Sequence, residues 1–331
     1  MLLAAKLIVV SFFVRGQWRE LPQPFLPFVP VLDDLGSPQL FRHLLQACFL
    51  VAAIALLVNR FVRTACVVLA LVIFTALLSS RQYFENNRTF TGCVLLLIGL
   101  YDPRSRVSLV PYQLALVYFG AAFNKMLDAD WRSGQFVQNW ISNVLHYRFY
   151  ANLSAAFPGM LLSSVLGRAA ILWEYLLAFG FLQQRFFGAA IAGGIAYHTA
   201  LLLVTGRTYG MFYFALLSAY LACVEWPRSR IAVEYPNAGA LRRGVWRVLR
   251  ALDVDGMFEW SPTPISATDS ADDVRRSRRL AVVVDGTMRR GAAAYVRLLA
   301  YTPLTYFMLL GIVHSMRGVA AVYRALLRSF A

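Results

Sequence analysis

Apolar residues run along this chain in long blocks rather than in alternation. Nearly continuous apolar stretches cover 1–14, 44–58, 64–80, 89–101, 107–127, 169–184, 186–206 and 208–226. A membrane-spanning helix needs about 20 such residues, so the blocks predict about eight spans, the short 89–101 run being a tilted span or a buried half-helix. The first block carries Lys6 and has no small-residue cleavage signature before Arg15. It therefore reads as a retained first helix rather than a signal peptide. Two segments are too polar to span and too long for simple turns. Residues 15–43 hold five prolines and the acidic pair Asp33–Asp34, and residues 128–168 open with DADWRSGQFVQNW. Both are expected as re-entrant or surface-lying pieces at one end of a helical bundle. Polar positions do not recur at matching places in two halves, so the signature of an inverted-repeat transporter is missing.

From Pro227 the pattern changes. Short β-branched runs at 231–235 (IAVEY), 256–260 and 281–286 (AVVVDG) alternate with polar turns and with a helix expected over 240–252. Two further helices are expected after 286. That order predicts a small α/β domain over 227–331 behind a transmembrane domain over 1–226. The uncharged run 298–313 contains Pro303 and reads as a core or membrane-touching helix rather than a ninth span. The fold class is thus mainly α: a polytopic membrane bundle with a small C-terminal α/β domain.

Composition agrees. Of 331 residues, 59% are hydrophobic and only 15% charged, against about 45–50% and about 25% in soluble domains. Disorder, a collagen-like fibre and an ordinary soluble globule are excluded. The net charge of +15 would suggest nucleic acid in a soluble protein. In a multi-span chain it reads as orientation and contact with anionic headgroups, so the bilayer is the expected partner and nucleic acid is not. Arg60–Arg63, Arg104–Arg106 and the basic tail place the C-terminal domain on the cytoplasmic side under that rule. The four cysteines all lie in apolar runs, no two of the four histidines share a helix face, and no glycine-rich phosphate loop occurs. No metal site is expected.

Ionisable groups at bilayer depth cost roughly 2.5–3.5 kcal/mol each and are functional candidates for that reason. Lys125 ends the run VYFGAAFNKML, Glu174 sits inside AAILWEYLLAFGF and His198 inside GGIAYHTALLLV; Glu85, Asn86, Asn87 and Arg88 cluster before another apolar run. Of the 32 basic residues only Lys6 and Lys125 are lysine. Arginine snorkels or pairs equally well, but lysine alone can give up its proton near neutral pH and act as a base. The structural alternatives are a Lys125–Asp128 pair, a Glu174–Arg168 pair, and a packing role for His198.

Residues 86–134, NNRTFTGCVLLLIGLYDP followed by LALVYFGAAFNKMLDADWRSG, resemble the vitamin K-dependent gamma-carboxylases and the bacterial proteins that share their HTTM domain. The matching positions are Asn86, Asn87, Tyr118, Phe119, Lys125, Asp130, Trp131 and Gly134, with Glu174 and His198 on later helices. The resemblance implies a bacterial multi-pass protein of the cytoplasmic membrane in which Lys125 is the base that deprotonates a reduced quinone such as vitamin K hydroquinone. It further implies a substrate pocket formed by Asn86, Asn87, Arg88, Tyr118, Trp131, Glu174 and His198. Arg88 stands where the family has histidine, Met126 is an extra residue before Asp128, and no large lumenal region follows. These departures argue against gamma-glutamyl carboxylation itself.

The C-terminal segments IAVEYPNAG, LRALDVDGMFEW and AVVVDGTMRRGAAAYVRLLAYTPL, with Tyr323–Arg324, resemble the DCC thiol–disulfide oxidoreductases of thioredoxin-like fold. Gly239 and Arg242 fall near the positions where that family carries its Cys-x-x-Cys, and no cysteine follows Cys223. The resemblance implies a redox-dead module kept for binding a protein partner or for stability. Two functions follow from these expectations. One is a membrane enzyme using Lys125 as general base on a lipid-soluble, quinol-like or peptide substrate; the other is a non-catalytic membrane scaffold.

Overall fold

A computed structural model describes residues 1–32, 37–101, 108–146, 148–204 and 210–223. Beyond these it describes 230–235, 244, 246–247, 249–250, 253, 257–262, 280–284, 286–300 and 302. Asp33–Asp34, Arg104–Arg106, most of the helix expected over 240–252, Gly239, Arg242, Tyr323–Arg324 and most of 298–313 lie outside the described residues. The chain divides into two compact units, Met1–Val107 with Val224–Ala331, and Ser108–Cys223.

In the first unit the apolar blocks become α1 (Leu2–Val14), α2 (Pro38–Leu57), α3 (Val62–Ser79) and α4 (Asn86–Leu100). Pro38 opens α2 at its first turn, where no backbone N–H is needed. Along α3, Cys66, Leu69, Ala70, Ile73, Ala76 and Leu77 are buried, which is helical spacing on one face. α4 packs closely on that face because Gly99 has no side chain: a Cβ there would sit 2.7 Å from Val67 Cγ2. The expected surface piece 15–43 contains a short 3-10 turn, Pro30–Leu32, and Phe25 bridges to Ser80 after α3.

The same unit holds a four-stranded mixed sheet in the order β2-β1-β3-β4, from β1 (Ile231–Tyr235), β2 (Phe258–Pro262), β3 (Ala281–Val284) and β4 (Thr287–Arg290). β1 runs parallel to β2 with Ile231 opposite Phe258, and β3 is antiparallel to β1 and to β4. β1 lies where the sequence predicts it. β2 begins two residues later than expected, and β3 stops at Val284. β4 corrects the expectation of helix directly after 286. Gly286, at φ +80, turns the chain so that Thr287–Arg290 pairs back on β3. TMRR has no apolar periodicity to announce a strand, so the pairing decides its form. A helix, here α12 (Ala292–Ala300), follows.

The second unit contains α5 (Val110–Leu127), α9 (Leu161–Leu182), α10 (Phe187–Val204) and α11 (Gly210–Ala222). The polar stretch 128–168 folds into short pieces, α6 (Ala129–Ser133), α7 (Gln135–Gln138), a π-helical turn (Asn139–Val144) and α8 (Arg148–Ser154). α9 begins eight residues before the predicted span because its first two turns are served by Ser163, Ser164 and Gly167, which an apolar-run criterion rejects.

Three helices among the described residues, α2, α3 and α9, are long and apolar enough to cross a membrane. Their outward faces support that use. Val51 is 70% exposed, Leu172 62% and Phe179 59%, a density of bare apolar side chains that water-facing helices avoid and lipid-facing ones require.

Candidate functional site

Lys125 occupies the last turn of α5, where the free carbonyl ends favour a cation. Asp128 does not pair with it. Its carboxylate accepts the backbone N–H of Asp130 at 2.8 Å and caps the N-terminus of α6. α6 ends at Gly134, held at φ +84, and a Cβ there would strike the backbone of Ser163 and Ser164 on α9. Gly167 makes the complementary concession, since its Cβ would lie 2.5 Å from the Trp131 carbonyl. The two glycines let the α6 turn lie directly on α9. Trp131 is thereby placed with its ring centroid 4.9 Å from Lys125 Nζ, and Phe136 stacks behind it at 4.5 Å.

From the other side, Glu174 projects out of the middle of α9, only 5% exposed. Its Oε1 takes a charge-assisted hydrogen bond from Lys125 Nζ and a second, at 3.0 Å, from the Tyr197 hydroxyl on α10. Its Oε2 is buried and accepts no hydrogen bond among the described residues. A buried acceptor without a donor forfeits its solvation, about 1–3 kcal/mol and more for a charged group. Arg168, the partner weighed from sequence, donates instead to the Arg132 carbonyl at 3.2 Å. Met126 is engaged as well, accepting the Tyr175 hydroxyl at its sulfur at 3.5 Å.

A second polar cluster lies in the same unit. The Tyr118 hydroxyl is 2.8 Å from His198 Nε2 and is also hydrogen-bonded to the Tyr220 hydroxyl on α11. All three side chains are buried. Tyr118 stacks on Phe181 at 6.0 Å, and the His198 ring meets the Tyr197 ring edge-on at 5.1 Å. Neighbouring residues 197 and 198 thus serve different clusters, Tyr197 reaching Glu174 and His198 reaching Tyr118.

Asn86, Asn87 and Arg88 belong to the first unit, at the start of α4. Asn86 is exposed. Asn87 Oδ1 accepts the Arg88 N–H at 2.7 Å. The Arg88 guanidinium is buried, lies 3.8 Å over the Tyr83 ring, donates to the Tyr83 carbonyl at 2.7 Å and stands 3.6 Å from the Glu85 carboxylate. Burial pushes the Tyr83 phenol up to about 12, an effect partly opposed by the Arg88 charge.

Of the residues singled out from sequence, the structure brings together Lys125, Trp131 and Glu174, and joins Tyr118 to His198. Sequence reasoning missed Tyr197 and Tyr220. Their signal was a hydroxyl inside an apolar run, which counts less than a charge in any insertion scale. Among the described residues no cluster of histidine, cysteine or acidic side chains is arranged to hold a metal. No protein-family model matches the chain, no curated protein matches it, and no solved structure matches it.

Proposed function

We propose that the protein is an integral membrane enzyme that removes a proton from a lipid-soluble, hydroxyl-bearing substrate at the Lys125–Glu174 pair. The observation that carries this reading is the pair itself. The Lys125 amine donates to Glu174 Oε1, and the second Glu174 oxygen meets no donor among the described residues. Inside a low-dielectric bundle, the proton on Nζ or on Oε1 gives two states of equal net charge. Moving between them exposes a neutral amine without creating a new buried charge. In the first state the carboxylate takes a hydroxyl hydrogen bond at Oε2, and in the second Lys125 is the base. Tyr197 holds Glu174 in place, and the Trp131 ring covers the ammonium.

The resemblance to the carboxylase-like HTTM proteins makes a reduced quinone the substrate class to try first. A hydroquinone fits the donor set, since it offers a hydroxyl where Glu174 lacks a donor. About eight spans, formed by α1 to α5 and α9 to α11, belong to this reading, as does a cytoplasmic C-terminal domain. The mixed sheet supports that domain's resemblance to thioredoxin-like modules: two parallel strands joined through a long connection, then an antiparallel hairpin and a helix. Without cysteines after Cys223 its use is docking or stability.

The second reading is a scaffold in which the same pair merely ties α5 to α9. Lys125→Arg separates the two, because arginine keeps the ion pair and cannot give up its proton. In nanodiscs, dioxygen-dependent consumption of a long-chain hydroquinone is expected for the wild type. It should be lost in Lys125→Arg and Glu174→Gln, with thermal stability retained in the arginine variant. Equal consumption by wild type and Lys125→Arg, or none by the wild type, contradicts the catalytic reading.

A further inference from the structure

β4 is the last strand of the mixed sheet, and its far side meets no other strand among the described residues. All four of its residues are exposed. The register says which backbone groups that side offers. Gly291 N–H donates to the Leu280 carbonyl at 2.9 Å, so 280 and 291 form a hydrogen-bonded pair. In an antiparallel ladder such pairs alternate with non-bonded ones. Val282–Arg289 and Val284–Thr287 are then the bonded pairs, and Ala281–Arg290 and Val283–Met288 the non-bonded ones. The N–H and C=O groups of Met288 and Arg290 therefore point away from β3, along the free edge. Nothing among the described residues takes them up. They stand about 7 Å apart, the two-residue repeat of an added strand.

Charge decides which strand the edge admits. Arg289 and Arg290 are neighbours and so project from opposite faces of the sheet. Neither pairs with a carboxylate among the described residues. Arg290 Nε instead lies 3.2 Å from the sulfur of Met288, itself 44% exposed on the same face. The acids of that face, Glu234 and Glu259, are two and three strands away by register, about 10 and about 14 Å. A second copy pairing on β4 would set arginine against arginine, and like charges directly opposite are destabilising. Charge on an edge strand commonly turns partners away; here it turns away basic strands and favours acidic ones. Anionic headgroups meet guanidiniums but supply no ladder for alternating backbone donors and acceptors. The opposite edge is closed by contrast: β2 ends in Pro262, which has no N–H, and exposes Glu259.

From this we infer that the free edge of β4 binds an extended acidic segment of a partner protein. The segment adds as a fifth strand, its backbone on Met288 and Arg290 and its carboxylates on the Arg289 and Arg290 guanidiniums. The inference rests on the reading of the C-terminal domain as a docking module and is independent of Lys125 and Glu174.

The test uses the full chain in phosphatidylcholine nanodiscs and a fluorescent pentapeptide alternating glutamate and valine, read by anisotropy and by residue-resolved hydrogen exchange. Bound peptide is expected to slow exchange of the Met288 and Arg290 amides roughly ten-fold, while the Thr287 and Arg289 amides, already bonded to β3, change little. Met288→Pro removes one outward N–H without touching the β3 ladder and should weaken binding roughly ten-fold. Arg289→Glu combined with Arg290→Glu, at exposed positions, should weaken it as much and should bind a lysine–valine peptide instead. This charge-reversed variant decides the matter if the proline variant fails to fold. The inference is overturned if the peptide binds equally well when its amides are N-methylated, if both variants bind like the wild type, or if phosphatidylglycerol vesicles slow the same amides and displace the peptide. Protection confined to another part of 227–331 would overturn the edge and keep the docking reading. Protection nowhere in that domain would overturn the edge and leave stability as the domain's use.

Discussion

Two cations sit close to backbone turns in this protein, and the chain treats them differently. Arg88 is held by residues three to five positions away: the Glu85 carboxylate, the Tyr83 carbonyl and the Tyr83 ring. Lys125 is held by Glu174, 49 positions away, and by a tryptophan that two glycines bring into reach. The first arrangement stitches a turn between α3 and α4 and would survive in almost any packing of those helices. The second exists only when α5, α6, α9 and α10 are all in place. A permanent cation with local partners suits structural work, whereas a lysine with distant partners is the arrangement that the proposed chemistry would use.

The largest effect is expected from breaking the long-range pair on one side. Lys125→Met leaves the Glu174 carboxylate buried without its countercharge and should cost about 3–5 kcal/mol, read as a fall in the thermal unfolding midpoint in detergent. The double variant Lys125→Met with Glu174→Leu should recover most of it, since two apolar groups replace the pair. If the double variant is no better than the single one, the pair is not a unit. Gly134→Ala should come next, at roughly 3 kcal/mol, because a left-handed backbone and the Ser163–Ser164 backbone both oppose a Cβ. It should also shift Trp131 fluorescence, which a merely local strain would leave alone.

A smaller effect is expected in the other region. Arg88→Lys keeps the charge near Glu85 but loses the flat stacking on Tyr83, about 1 kcal/mol by the same measurement. The smallest is a pH effect. The Tyr83 phenol is raised from its ordinary 10 to about 12 by burial. The folded state therefore holds that proton more tightly than the unfolded one. The contribution is complete below pH ~10 and is lost as pH rises through about 12, so stability should decline across that interval. Comparing unfolding midpoints of the wild type and Tyr83→Phe isolates it; parallel curves would contradict the assignment.

Much of the helical framework was legible because long apolar runs are a strong signal, though among the described residues only α2, α3 and α9 are long and apolar enough to cross a membrane. Lys125, Glu174 and His198 stood out as charges or titratable groups inside such runs, and the C-terminal strands β1 and β3 as β-branched runs. The pairing of these groups was not legible. Local spacing suggested Asp128 for Lys125 and Arg168 for Glu174, and both gave way to tertiary partners. Asp128 was needed as a helix cap, and the α6 turn presents a carbonyl to Arg168. Tyr197 and Tyr220 were invisible because a tyrosine in an apolar block looks like packing until its hydroxyl is seen to meet a partner. β4 escaped because four residues without periodicity took their form from β3.

On the proposed reading, the Lys125–Glu174 pair exchanges a proton with a bound hydroxyl. The direct measurement is an infrared difference spectrum of the nanodisc-held protein on adding a long-chain hydroquinone under anaerobic conditions. A protonated-carboxyl band should appear in the wild type, shift in deuterium oxide, and vanish in Glu174→Gln. A spectrum in which the wild type and Glu174→Gln respond identically would mean that Glu174 takes no part, and Lys125 would then be an anchor like Arg88.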